Sequence, residues 1–222
     1  MKHKKIVSMI GVIILVILAG FGVRYCHQQH SAQSTKPRVS QAAKKTSKTK
    51  KKAPAKQAKP TDPAAAKYEI KGMRPLNNNT WKHPSMYRAY PDVNAHPGMW
   101  IRVSTARQRV YFIDRGHTIY EMYCSTGQDH GTPIGTFHIQ QERGENFFNA
   151  ASGEGANYWT SFKNHGEFLF HSVPVNQNGR YMVKEAEDLG KTAKSHGCVR
   201  LAIPDARWIY TYVPYNTKVV IK

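Results

Sequence analysis

The first long pattern in the chain is a run of 18 residues without a charge, from Ile6 to Val23. At about 1.5 Å per residue, a helix of this length just crosses the hydrocarbon core of a bilayer. The basic stub before it, residues 1–5, predicts that this end stays in the cytoplasm and that the rest of the chain lies outside the cell. The pattern therefore predicts a transmembrane signal anchor over 6–23, with a cleaved signal peptide as the alternative.

A polar and basic segment follows over residues 24–67. Residues 1–67 hold 15 Lys and Arg against one acidic residue, so they carry +14 of the net charge of +19, and residues 68–222 carry only +5. Like charges and few apolar side chains predict a disordered basic linker. This linker serves either as a solvated spacer or as a tether to anionic polymers or lipid headgroups. Its basic residues are not interleaved with aromatic ones, which argues against nucleic acid as a partner.

The rest of the chain has the patterns of a folded domain. Residues 68–98 are rich in aromatic and turn residues but have no clean period, which predicts an ordered lead-in. From 99 to 222, short β-rich segments alternate with turns, and Asp114 to His117 is typical of a hairpin turn. The predicted strands lie around 100–103, 110–113, 118–125, 136–140, 167–173 and 218–221.

Two short helices are predicted near the end of the chain. The first runs from Lys184 to Leu189 and ends at Gly190. The second begins at Pro204, and its apolar residues share one face at a period of 3.6 residues. These residues are Ala206, Ile209, Tyr210 and Val213. We therefore expect a mainly β domain with one core and one or two short helices.

Residues 141–164 have no clear period and combine Gly, Asn and Ala with several aromatic residues. A long irregular segment inside a compact domain is often a functional lid. The alternative is that the aromatic side chains simply pack a loop onto the domain. Both alternatives predict irregular structure here.

Cys198 is the main candidate for chemistry, because it lies in a polar run with nearby positive charge. His196 and Arg200 flank it, and Lys191 and Lys194 precede it. Positive charge favours the thiolate, which is the nucleophilic form.

Gly197 allows a tight turn that would point backbone N–H groups at a reacting carbonyl. His171, at the end of an apolar strand, is a candidate base. The alternatives are a buried inert cysteine or a disulfide with Cys124, which would abolish thiol chemistry.

The sequence Ser-His-Gly-Cys-Val-Arg, residues 195–200, resembles the signature of the L,D-transpeptidase catalytic domain family of bacterial cell walls. Residues 132–137, Thr-Pro-Ile-Gly-Thr-Phe, are similar to the turn and strand of that family, and His171 falls where the family has its catalytic His. The resemblance covers about residues 99–222 and implies a mixed β-sandwich-like domain. The segment between His171 and the signature is longer than the family pattern, which implies an extra loop around 176–194.

The resemblance also implies a set of site residues. Cys198 would attack a peptide carbonyl, His171 would act as the base, and the Ser172 carbonyl would orient its ring. The N–H groups of Gly197 and Cys198, with His196, would hold the oxyanion. The remaining candidates are expected to bind substrate: Arg200, Ser195, Tyr158 and Trp159. Arg200 would bind a substrate carboxylate or support the loop that holds Cys198 (the Cys loop), and Ser195 would form hydrogen bonds in that loop and not act as a second nucleophile. Tyr158 and Trp159 lie in the flap over the cleft.

The substrate implied by the family is a peptidoglycan stem tetrapeptide, joined to a neighbouring stem in a 3→3 cross-link at the extracellular wall. Such acyl transfer needs no cofactor or metal. An L,D-carboxypeptidase would use the same site if water resolved the acyl-enzyme. A sortase-like transpeptidase and a non-catalytic wall-binding protein, held by its basic linker, are the alternatives from other classes.

Overall fold

The structure, a computed structural model, describes residues 62–222. The predicted cytoplasmic stub, the anchor over 6–23 and most of the predicted linker lie outside these residues. No helix within the described residues is long and apolar enough to cross a membrane.

A single mixed sheet of nine strands forms the centre of the domain, in the order β4-β9-β1-β2-β3-β8-β7-β6-β5. β1 pairs in parallel with β9, and β7 pairs in parallel with β8, while the other neighbours are antiparallel. The strands are β1 (Trp100–Ser104), β2 (Arg109–Asp114), β3 (His117–Ser125), β4 (Gly135–His138), β5 (Arg143–Asn149), β6 (Glu154–Lys163), β7 (Phe168–Ser172), β8 (Val199–Leu201) and β9 (Lys218–Ile221).

The sheet curls, so that strands from opposite ends of its order meet. The ring centroid of Phe137 in β4 lies 5.8 Å from that of Phe162 in β6. Two α-helices within residues 62–222 complete the fold: α1 (Val183–Ala186) and α2 (Ile203–Tyr212). Trp208 of α2 packs edge-on against Phe112 of β2 in the core, with ring centroids 5.0 Å apart. The prediction of a mainly β, mixed and sandwich-like domain is confirmed.

The flap predicted as irregular over residues 141–164 is instead a regular hairpin of β5 and β6. Both faces of β5 are largely exposed, so its sequence lacks the alternation by which strands are recognised. Two glycines of the hairpin lie where its strands pack closely together. A Cβ on Gly144 of β5 would lie 2.6 Å from the Trp159 ring nitrogen, and a Cβ on Gly155 of β6 would lie 2.2 Å from the Phe147 carbonyl oxygen.

Residues 62–67 belong with the folded domain, not with the disordered linker predicted for them. Pro63–Tyr68 form a 3-10 helix, and Ala65 is fully buried. The Asp62 carboxylate accepts hydrogen bonds from Arg102 Nη2 at 3.0 Å and from Ser104 Oγ at 2.8 Å. Composition alone could not reveal this boundary, because the side chains of Arg102 and Ser104 lie some 40 residues along the chain from Asp62.

Candidate active site

The parallel pairing of β7 with β8 brings His171 and Cys198 to the same face of the sheet. In this pairing Phe170 lies opposite Val199 and His171 lies opposite Arg200, while Cys198 immediately precedes β8. Since alternate strand residues share a face, Cys198, Arg200 and His171 project to one side. All three line one cavity of about 410 Å³.

His171 is held as a neutral imidazole with one nitrogen available to accept a proton. Its Nδ1 lies 2.6 Å from the Ser172 carbonyl oxygen, which can only accept, so Nδ1 carries the hydrogen. The lone pair is then on Nε2. Burial lowers the pKa of His171 to about 4, so the ring is neutral at pH 7. The ring of Phe147 on the flap hairpin packs edge-on against it, with centroids 5.7 Å apart.

Cys198 is a protonated thiol in the resting site, contrary to the thiolate expected from its charged neighbours. Burial raises its pKa to about 11, although Arg200 acts in the opposite direction. Lys191 and Lys194 do not line the cavity, and Lys194 Nζ instead lies 3.6 Å from Asp188 Oδ2. Desolvation therefore exceeds the effect of nearby positive charge.

The disulfide alternative is wrong, because Cys124 and Cys198 are both free. Cys124 lies fully buried in the core, and burial raises its pKa to about 12. Cys124 is therefore an inert core residue.

Gly197 shapes the Cys loop, and its N–H group already has a partner within the protein. That N–H donates to Ser195 Oγ at 3.1 Å, so an oxyanion would compete with Ser195 for it, and the role of Gly197 as an oxyanion donor stays a prediction. The residue must nevertheless be glycine: its φ is +155°, and a Cβ would lie 2.9 Å from the Gly131 carbonyl oxygen.

Ser195 braces the Cys loop through two hydrogen bonds. Its side chain is buried, and its hydroxyl donates to the Cys198 carbonyl oxygen at 2.6 Å while accepting from Gly197 N–H. Ser195 also lines the cavity, so its contact with substrate stays a prediction.

Arg200 also supports the site from within the protein. Only 2% of its side chain is exposed, and its Nη2 lies 2.7 Å from Glu154 Oε2. Its Nη1 lies 3.5 Å from Glu185 Oε2. Because protein carboxylates already occupy the guanidinium, the structure favours support of the Cys loop over binding of a substrate carboxylate.

The two aromatic residues predicted in the flap point to different places. Trp159 lines the cavity, whereas Tyr158 does not. The Tyr158 ring lies 6.1 Å from that of Tyr210 on α2, because successive strand residues face opposite sides of the sheet. His196 lines the cavity with 71% of its side chain exposed, and its Nδ1 lies 4.0 Å from Glu154 Oε2.

Thr132, known from the sequence only as part of a motif, lies directly beneath the Cys loop. Its buried hydroxyl donates to the Gly197 carbonyl oxygen at 2.8 Å and accepts from Gly127 N–H at 2.7 Å. The Gln128 N–H donates to the Ser195 carbonyl oxygen at 2.9 Å. The Thr-Pro-Ile-Gly-Thr-Phe motif was a signal that could have identified this brace.

Sequence reasoning missed Glu154 and Glu167 and gave Phe147 no place at the site. All three line the cavity. Nothing in their local sequence distinguishes them from surface acids or a loop aromatic, so only the folded arrangement reveals them.

Among solved structures, this chain is similar to a fused Zn-dependent amidase/peptidase/peptidoglycan-binding protein from Clostridium acetobutylicum ATCC 824, with 29% identity and a TM-score of 0.43 over 56% of this chain and 51% of that chain. It is also similar to an L,D-transpeptidase from Mycobacterium tuberculosis H37Rv, with 20% identity and a TM-score of 0.45 over 56% of this chain and 57% of that chain. The chain thus spans between half and three fifths of these solved chains.

Sequence comparison gives a more specific result. The chain is 49% identical over 145 residues to YciB of Bacillus subtilis (strain 168), a protein named as an L,D-transpeptidase, which covers 64% of this chain and 73% of the relative. The family model of the L,D-transpeptidase catalytic domain matches residues 98–221, more than half of the chain. The chain therefore belongs to the L,D-transpeptidase catalytic domain family.

Proposed function

We propose that the chain forms 3→3 peptidoglycan cross-links through a thioester on Cys198. The observation that carries this proposal is the position of a neutral His171 and a thiol in one cavity, with Nε2 of the imidazole free to accept a proton. Family membership supports the reaction class, and the geometry supports the roles of the two residues.

In the first step, Cys198 Sγ attacks the carbonyl carbon between the diamino acid and the terminal D-Ala of a stem tetrapeptide. The thiol proton moves to His171 Nε2 as the C–S bond forms. The C–N bond then breaks, and His171 returns the proton to the leaving D-Ala amine. The product is an acyl-enzyme and free D-Ala.

In the second step, an amine of a neighbouring stem attacks the thioester and passes its proton to His171. The C–S bond breaks, and the leaving sulfur receives that proton. If water takes the place of the amine, the same site acts as an L,D-carboxypeptidase.

The protonation states of the two residues support a proton transfer that accompanies attack. With a pKa of about 11 for the thiol and about 4 for the imidazole, a thiolate–imidazolium pair is unfavourable. The Cys198 N–H, for which the described residues supply no acceptor, would stabilise the oxyanion. The exposed His196 at the cavity rim is the second candidate donor.

The location of the enzyme follows from the sequence pattern and belongs to the same proposal. An anchor over 6–23 would hold the domain outside the cell, at the wall, and the basic linker would bind anionic wall polymers or lipid headgroups. Protease added to intact cells should release the domain. Full protection of the domain in intact cells would contradict this location.

The test uses the full chain in detergent, with Cys198→Ala as its matched variant. Each is incubated with purified disaccharide-tetrapeptide, and the products are identified by mass spectrometry. Cross-linked dimer with loss of D-Ala, absent in the variant, is the expected result. Tripeptide alone would favour the carboxypeptidase. No product from a folded wild-type chain would overturn the proposal and return weight to the wall-binding or sortase-like alternatives.

A further inference from the structure

Arg200 joins three parts of the molecule that the sequence keeps apart. It lies on β8, two residues after Cys198 and opposite His171 in the strand register. Its guanidinium contacts Glu154 at the start of β6, in the flap hairpin, and Glu185 in α1, within the predicted extra loop. One buried cation therefore connects the Cys strand, the flap and the extra loop.

The backbone confirms that the flap and the extra loop form one wall. Gly155 N–H donates to the Val175 carbonyl oxygen at 2.8 Å, and Val175 N–H returns a bond of 2.8 Å to Gly155. Asn157 Nδ2 donates to the Tyr181 hydroxyl at 2.7 Å. Glu154 immediately precedes the Gly155 bridge, and it contacts Arg200 from this wall together with Glu185.

A few titratable side chains determine the electrostatic environment of the Cys198 thiol. The titratable side chains that line the cavity with Cys198 are Glu154, Glu167, His171, His196 and Arg200. Arg200 is the buried positive charge among them, and Glu154 is its nearer carboxylate, at 2.7 Å against 3.5 Å for Glu185. Removing the charge of Glu154 would leave Arg200 less neutralised beside the sulfur.

We propose that Glu154 is a positioning residue that acts through Arg200, fixing the flap against the Cys strand and setting the positive charge that Cys198 and His171 experience. The expected change in kcat rests on the function proposed above. The expected change in the reactivity of the Cys198 thiol does not depend on any substrate. It assigns a role to a residue outside the signature motif.

The experiment compares Glu154→Gln with Glu145→Gln in the full chain. Glu145 is exposed on β5 of the same hairpin, and among residues 62–222 it has no hydrogen bond or ion pair through its side chain and does not line the cavity. The two variants remove the same charge from the same hairpin. Measurements are the alkylation rate of Cys198 by iodoacetamide across pH, kcat and KM for cross-linking, and the unfolding temperature.

We expect Glu154→Gln to alkylate about threefold to tenfold faster than wild type at a fixed pH below the midpoint, as the thiol profile moves by half to one pH unit toward lower pH. We expect kcat to fall by about tenfold or more, with a smaller change in KM, because the flap is no longer held against β8 by the contact of Glu154 with Arg200. Glu145→Gln should match wild type. Glu185→Gln should shift the thiol profile in the same direction.

Three results would overturn the proposal. The first is a thiol profile of Glu154→Gln that overlays those of wild type and Glu145→Gln. The second is a loss of activity that tracks a lower unfolding temperature with no shift of the profile, which indicates a structural role only. The third is a shifted profile with unchanged kcat. If wild type makes no cross-links at all, the proposed function fails, and the alkylation comparison still decides whether Glu154 acts through Arg200.

Discussion

At the scale of single residues, burial decides the chemistry of the candidate pair. Positive neighbours in the sequence predict a thiolate, yet desolvation raises the pKa of Cys198 to about 11 and lowers that of His171 to about 4. Both residues are thus neutral at pH 7. In the proposed mechanism, a neutral pair keeps the imidazole able to accept a proton and leaves the thiol unreactive until a carbonyl is in place.

The raised pKa of Cys198 has a measurable consequence for alkylation. Only the thiolate reacts, so the alkylation rate by iodoacetamide should be slow at pH 7 and should rise about tenfold per pH unit up to pH 10. Cys198→Ala gives the background from other cysteines. A plateau below about pH 9 would mean that the thiol is activated in the resting enzyme. Slow reaction at neutral pH therefore does not by itself identify an inert, wall-binding protein.

Thr132 offers a second prediction at this scale. Thr132→Val keeps the shape of the side chain but removes both hydrogen bonds of the buried hydroxyl, to Gly197 and from Gly127. We expect a loss of about 2 kcal/mol in the free energy of unfolding and at least about a tenfold loss of kcat. Thr132→Ser should retain most activity. The control Thr136→Val changes an exposed residue of the same motif and should have little effect on either quantity.

At the scale of elements, the site depends on where the flap hairpin of β5 and β6 packs against the rest of the domain. β5 and β6 approach so closely at Gly155 that no side chain fits, and the same glycine carries the two bonds to Val175. The hairpin also brings Phe147 against the imidazole and Glu154 against Arg200. The position of this element, more than its sequence, creates the cavity wall.

Gly155→Ala tests this close approach. Its Cβ would lie 2.2 Å from a backbone oxygen, so the strands must separate; we expect a loss of about 1–3 kcal/mol in the free energy of unfolding and a clear loss of activity. Gly153→Ala, at a turn with open space and a φ of +69°, should cost only about 1 kcal/mol from backbone strain and leave kcat near wild type. Thermal unfolding and cross-linking assays compare the two, and equal effects would contradict the interpretation.

At the scale of the whole molecule, Asp205 fastens the lead-in to the domain. It is fully buried at the start of α2 and accepts hydrogen bonds from the hydroxyl and N–H of Ser85 and from the Tyr90 hydroxyl at 2.7 Å. Residues 85 and 90 are separated from it by more than 100 positions. This contact makes residues 68–98 part of the fold that supports β8 and α2.

Asp205 also gives the fold a pH dependence. Burial raises its pKa from 3.8 to about 6, so the folded state holds its proton more tightly than the unfolded state. Its contribution to stability is therefore full below about pH 4 and is lost as pH rises through 6, by about 3 kcal/mol. Asp205→Asn cannot ionise. The free energy of unfolding of wild type relative to this variant should fall over that range, and a constant difference would contradict the raised pKa.

Much of the fold could be predicted because strands, turns and helix starts depend on residues close together in the chain. Three elements lie where local sequence signals predict them. Gly116 marks the turn between β2 and β3, the apolar residues of Lys218–Ile221 mark β9, and Pro204 marks the start of α2. The flap was missed since β5 is largely exposed on both faces, and residues 62–67 were missed since Arg102 and Ser104, the side chains that bind Asp62, are distant in the chain.

The sequence by itself determined the mainly β class and the family, because the alternation and the two motifs are local features. It also identified Cys198 and His171 as the candidate pair. Only the tertiary structure decided that the thiol is protonated, that the Gly197 N–H is occupied and that Arg200 is held by Glu154 and Glu185. Desolvation and hydrogen-bond partners depend on groups far apart in the chain, and folding alone brings those groups together.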